Sequence, residues 1–161
     1  MANSVLISMQ DDIPEPAWFE NVEPFVQKTL NHLGYDGEEI SILFCTDAFM
    51  QNLNKEYRHI DSSTDVLSFE NGDVYTDEKG TEWKNAGDIV ISLDMLPVNA
   101  AYFGDDEDEE LKRLLVHGIL HLNGMDHGEE HIEKGCKPVC EMLSKQEVLL
   151  EKLKHEKIMA V

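Results

Sequence analysis

Positive charge is scarce in this 161-residue sequence: 13 lysines and arginines stand against 33 aspartates and glutamates, a formal net charge of −20. That balance opposes a broad electrostatic grip on a polyanion, so any nucleic acid must be held locally by a few groups. The acidic excess suits a basic protein partner, and it equally suits a plain solvated surface. Cysteine is scarce too. Cys45, Cys136 and Cys140 are too few, and odd in number, for a disulfide framework, so a reducing cytosol is the expected setting. No stretch is apolar enough to span a membrane, and the N-terminal M-A-N-S-V-L-I-S-M-Q-D-D lacks the basic start and long apolar run of an export signal. Internal repeats, domain linkers and a Gly-rich phosphate cradle are absent as well. The expectation is one cytoplasmic domain over residues 1–161, long enough to bury a core.

Along the chain, hydrophobic periodicity predicts alternating short strands and helices. Val5 to Met9 reads as a strand, followed by a turn-rich break over Asp11 to Pro16. Ala17 to Leu33 then reads as a helix carrying Phe19, Val22, Phe25, Val26, Leu30 and Leu33, with Gly34 ending it. Glu39 to Cys45 is a second strand, and Thr46 or Asp47 caps a helix running through Tyr57. Val66 to Phe69 reads as a third strand. Glu70 to Asn85, rich in Asp, Glu, Gly and Asn, is expected to be a loop or mobile hairpin tip. Gly87 to Leu93 is a central strand with Asp88 as its opening cap or, second, as a support behind the site, and Asp94 caps a helix from Met95 to Tyr102. The acidic run after Gly104 favours the positive end of the next helix and needs no further role. A last helix is expected within Val139 to Leu153, after another that begins over Gly128 to Lys134.

The most informative stretch is V-H-G-I-L-H-L-N-G-M-D-H, Val116 to His127. Glu109 to Leu122 reads as a helix, so His117 and His121 lie on one face, about 40° apart and about 6 Å along the axis. Gly124 supplies a residue that can take positive φ, end the helix and turn the chain so that His127 returns toward the same point. Three imidazoles with a vacant fourth position are what a catalytic zinc uses to lower the pKa of a water. Two other readings of the cluster stand beside this one. Asp126, His131 or Cys136 would close a tetrahedral, structural zinc site, and histidines at such spacing also arise by chance.

The spacing matches the H-E-x-x-H-x-x-G-x-x-H pattern of metzincin peptidases, except that Gly118 stands where those enzymes carry their glutamate base. H-G-x-L-H-L-x-G-x-D-H instead resembles the signature of the bacterial YbeY family, metal-dependent endoribonucleases of ribosomal RNA maturation. The segment from Leu53 to Phe69 resembles the same family through Y-R-x-x-D-x-x-T-D-V-L-S-F, departing mainly at Ser63, where many members have proline. The family's G-D-I-x-I-S segment is present from Gly87 to Ser92.

The resemblance implies an α+β fold, a small mixed sheet of about four strands with a metzincin-like zinc helix beside it. It implies one Zn²⁺ held by His117, His121 and His127, and single-stranded RNA, ribosomal RNA and the ribosome or its proteins as partners. The implied reaction is phosphodiester hydrolysis in 16S rRNA 3′-end maturation and late ribosome quality control. His117 and Arg58 are the implied catalytic residues. Arg58 offers a permanently charged donor fork suited to phosphate and to charge developing on it; the alternative is an ion pair with Asp61 or Asp65 that holds the loop. Asp61, Thr64 and Asp65 cap, order the turn or accept the outer N–H of a zinc histidine, with structural support the default. Lys55 and His59 add a small positive patch at most. Two rival functions remain: a metallopeptidase-like amide hydrolase, and a non-catalytic assembly module stabilised by zinc.

Overall fold

Alternating burial along the strands creates two apolar faces, and the helices divide between them. The computed structural model describes residues 3–125 and 140–159. Four strands, β1 (Ser4–Met9), β2 (Glu38–Cys45), β3 (Val66–Thr76) and β4 (Glu82–Ser92), form one sheet in the order β1-β2-β4-β3. β1 and β4 each run parallel to β2, and β3 runs antiparallel to β4. The helices are α1 (Val22–Leu33), α2 (Asp47–Arg58), α3 (Met95–Phe103), α4 (Glu107–Leu122) and α5 (Glu141–Lys152). On one face, Ile40, Ile42, Phe44, Ile89 and Ile91 bury against α1, α4 and α5. On the other, Leu43, Cys45, Leu67, Phe69 and Val90 meet Phe49, Met50 and Leu53 of α2. The expected α+β fold with a four-stranded mixed sheet is the one observed. Among the described residues no helix is long and apolar enough to cross a membrane.

Several local expectations give way to tertiary interactions. Glu70 to Asn85 is mostly strand, because β3 and β4 continue as a long hairpin. Glu70 to Thr76 of β3 are exposed on both faces and Trp83 to Asn85 opposite are only half-buried, so the segment lacks the apolar alternation by which a strand is recognised. Cross-strand pairing and its turn hold it instead. Asp77 accepts from the backbone N–H of Lys79 and Thr81 and from Trp83 Nε1, and these bonds, the Trp83 bond first, hold its carboxyl below the usual range. Asp88 therefore lies inside a strand rather than at its start. Just before it, Gly87 has φ +137°, and a Cβ there would sit 2.1 Å from the Phe69 carbonyl oxygen, so only glycine fits.

Helix starts shift for similarly local reasons. The first helix begins at Val22, after a 3-10 turn over Phe19–Asn21 that follows Pro16. Thr46 caps α2 as expected, its Oγ1 accepting from Phe49 N–H at 3.2 Å. Asp94 does not cap α3; its Oδ2 accepts from the Asp47 backbone N–H at 2.7 Å and so joins the start of α2 to the end of β4. Part of the acidic run also has a further role. Asp106 caps α4, while Asp108, 7% exposed, accepts from the backbone N–H groups of Ile158 and Met159 and so fastens the end of the chain.

Candidate active site

α4 buries Leu111, Leu114, Leu115, Ile119 and Leu122 against the sheet and its neighbouring helices, as their spacing predicts. The remaining edge carries Glu110, Arg113, His117 and His121 at intervals of three and four residues, a polar stripe along one side of the helix. His117 and His121 are half-buried, with ring centroids 4.7 Å apart and ring planes at 70°. The expected side-by-side placement of these two imidazoles is present. α4 ends as expected too, with Gly124 at φ +86°. His127 lies outside the described residues, as do Asp126, His131 and Cys136, the candidates for a closing fourth ligand.

His117 is held by a residue the sequence did not single out. Its Nδ1 lies 2.8 Å from Gln146 Oε1, and Gln146, in the middle of α5, is fully buried. An amide oxygen accepts, so the nitrogen facing it must carry the proton, which leaves Nε2 with the lone pair a metal uses. Gln146 Nε2 is buried and has no hydrogen-bond partner among the described residues. A buried orphan donor costs about 1–3 kcal/mol, a penalty an apolar residue would not incur. A signal for Gln146 did exist: it interrupts the buried series Met142, Leu143, Leu149 of α5, and a polar residue inside an apolar stripe calls for a partner.

One turn earlier the stripe is closed by ion pairing. Arg113 is bidentate to Glu110 at 2.6 and 2.8 Å, lies 3.5 Å from Asp65, and stacks over Phe103 at 4.7 Å. Burial alone would push the guanidinium pKa down; the Glu110 bonds and the charges of Glu110, Asp65 and Glu147 outweigh it and raise it. Asn99 donates to both Asp65 and Glu110. Asp65 thus anchors its loop to α4 through Arg113 and to α3 through Asn99. Asp61 is engaged by Gln51 and, at 3.9 Å, by Lys55. Thr64 hydrogen-bonds weakly to Asp65 at 3.4 Å.

Arg58 is the last residue of α2, exposed, and among the described residues it makes neither an ion pair nor a hydrogen bond. The alternative role as a loop clamp has therefore passed to Arg113. His59 follows as the left-handed cap of α2, φ +60°. Since α2 and α4 cover opposite faces of the sheet, Arg58 is not brought into contact with the histidine pair.

The donor set suits zinc: two imidazoles a helical turn apart, one oriented by a buried amide, with nitrogen the preferred donor. An acidic cluster of Asp106, Asp108 and Glu109 also gathers its oxygens within 4.8 Å. Its groups are already engaged, because Lys112 and Lys157 lie 2.9 and 3.3 Å from Glu109 and Asp106 accepts from the Glu109 backbone N–H as the helix cap. Gly118 stands where the peptidase base would be, and it packs on the sheet. A Cβ at this position would lie 2.8–3.0 Å from three side-chain atoms of Ile89, so any larger residue after His117 requires Ile89 to shift.

Comparison with known proteins agrees with this architecture. The family profile described as Endoribonuclease YbeY matches residues 6–154. A protein of Treponema denticola named Endoribonuclease YbeY is 53% identical over 161 residues, all of both chains. Another of that name from Treponema pallidum (strain Nichols) is 46% identical over 148 residues, covering 92% of this chain and 88% of its own. The solution structure of TM1509 from Thermotoga maritima superposes with a TM-score of 0.61 at 25% identity, covering 94% of this chain and 90% of that one. From a profile match along nearly the whole chain, full-length relatives and a shared fold, it follows that this chain belongs to the YbeY family of endoribonucleases.

Proposed function

We propose that the protein is a zinc-dependent, single-strand-specific endoribonuclease that acts in 16S rRNA 3′-end maturation and late ribosome quality control. The whole chain, residues 1–161, serves as one cytoplasmic hydrolase domain, with ribosomal RNA and the ribosome as partners. The observation that carries the metal part of this reading is the pair His117 and His121 on one half-buried helix edge, with Gln146 on the Nδ1 of His117. His117, His121 and His127 would hold the ion. When bound, zinc supplies Lewis-acid polarisation of a phosphate oxygen or a water.

The chain's own residues do the rest. His117 and His121 present nitrogen from a rigid, core-anchored helix, which fixes the reacting centre relative to the sheet. Arg58 offers an unpaired guanidinium to a phosphate of the bound strand. Its place on the other sheet face makes the kinetic signature informative: a contact to the reacting phosphate lowers kcat, whereas a contact to a flanking phosphate raises KM alone.

The test combines metal analysis of the purified protein with cleavage of a labelled single-stranded RNA by wild type, His117→Ala and Arg58→Glu, all checked for folding by circular dichroism. About one zinc per chain is expected in wild type and in Arg58→Glu, as for a three-histidine site. Both folded variants are expected to lose cleavage by tenfold or more. RNA left intact under every metal tried, with His117→Ala merely unfolded, would instead mark a zinc-stabilised assembly module.

A further inference from the structure

The geometry points to Gln146 as a positioning residue that selects the ring form in which His117 can bind metal. This rests on the metal reading above and extends it to a residue on a different helix. Free imidazole exchanges its proton between two nitrogens, and only the form with an unprotonated Nε2 presents that nitrogen as a ligand. Gln146 Oε1, 2.8 Å from Nδ1, stabilises that form before any metal arrives. The amide is fully buried within α5, and its neighbours Met142, Leu143 and Leu149 are buried with it, so it has little freedom to turn away. Its Nε2 has no hydrogen-bond partner among the described residues. A residue selected for stability alone would be apolar here, because leucine fills similar space without stranding a donor. Gln146 is retained, on this inference, for what its oxygen does to His117.

Two independent readouts test this on the full-length chain. The first is the tautomer of His117 in metal-free protein labelled with ¹⁵N-histidine, read from long-range ¹H–¹⁵N correlations. The second is zinc affinity, measured by competition with a chromophoric chelator. Wild type is expected to carry the proton on Nδ1. Gln146→Leu is expected to shift it toward Nε2 and weaken zinc binding about 10- to 100-fold, the usual effect of losing such an outer partner. Its Tm should be no lower than wild type. Gln146→Glu, whose carboxylate also accepts, is expected to keep the wild-type tautomer and hold zinc more tightly than Gln146→Leu. If Gln146→Leu fails to fold, Gln146→Met and Gln146→Glu supply the same comparison.

A wild-type ring protonated on Nε2, or a folded apolar variant with unchanged tautomer and affinity, would overturn the inference. A wild-type chain that holds Nδ1–H through Gln146 but takes up no zinc would overturn the metal reading instead, leaving the coupling of the two side chains intact.

Discussion

Gly118 is both a departure from one enzyme pattern and a tight packing contact. In the sequence it is only a departure from the peptidase pattern. In the structure it packs directly on Ile89 of β4, with three Ile89 side-chain atoms at 2.8–3.0 Å from any added Cβ and Ile89 itself fully buried. Gly118→Ala should therefore destabilise the protein by about 1–3 kcal/mol through overpacking, although alanine is the better helix former. Urea denaturation would measure this, and Ile89→Val in the same chain should recover part of the loss. An unchanged midpoint would mean that the helix can move away freely. Arg58 is the opposite kind of residue. Its pattern was legible because the Y-R-x-x-D-x-x-T-D-V-L-S-F segment is long, but its placement across the sheet from His117 depends on strand order and was not legible.

At the scale of elements, α4 is where scaffold and site meet. Its apolar spacing announced which side is buried, and every leucine and isoleucine named from that spacing is buried. The pairing partners of its polar edge come from elsewhere in the chain: Asp65 before β3, Asn99 in α3 and Gln146 in α5. Removing Arg113 should be costly, because Glu110 is only 2% exposed and would be left as an unpaired buried charge. Arg113→Ala is expected to lose about 3–5 kcal/mol, while Arg113→Met with Glu110→Leu should recover most of it. Chemical denaturation of the single and double variants would decide this. A double variant no more stable than the single would show that packing, not the stranded charge, sets the loss. The length of the β3–β4 hairpin, expected as a loop or a hairpin tip, was not legible for a related reason. Periodicity reports burial, and the outer part of that hairpin is held by cross-strand bonds and by Asp77, with its β3 side exposed from Glu70 to Thr76.

For the whole molecule, the net charge of −20 limits how RNA is held. Several of its cations are already committed: Lys112 and Lys157 to Glu109, Arg113 to Glu110, and Lys28 to Glu156. Arg58 is exposed and outside that set. With one or two phosphate contacts, the logarithmic salt dependence of binding to a short single strand should be shallow, a slope near about −0.7 to −1.4. Fluorescence anisotropy of an inactive variant across a salt series would measure it. A much steeper slope would require a broad basic surface, against the composition of the chain.

The sequence by itself determined the family, the strand-and-helix alternation, the buried side of α4 and the adjacency of His117 and His121, because each depends on residues close along the chain. Helical geometry alone puts positions i and i+4 on one edge. Only the tertiary structure decided that Gln146 meets His117, that Arg113 rather than Arg58 clamps the loop at Asp65, and that Glu110 and Asp108 are buried anchors in an acidic run expected only to favour the start of its helix. Those pairings join residues 29, 48 and 50 positions apart in three of the contacts (His117 with Gln146, Arg113 with Asp65, Asp108 with Ile158). A polar group removed from water must find a partner, but local sequence does not say which one; the packing of separate elements does.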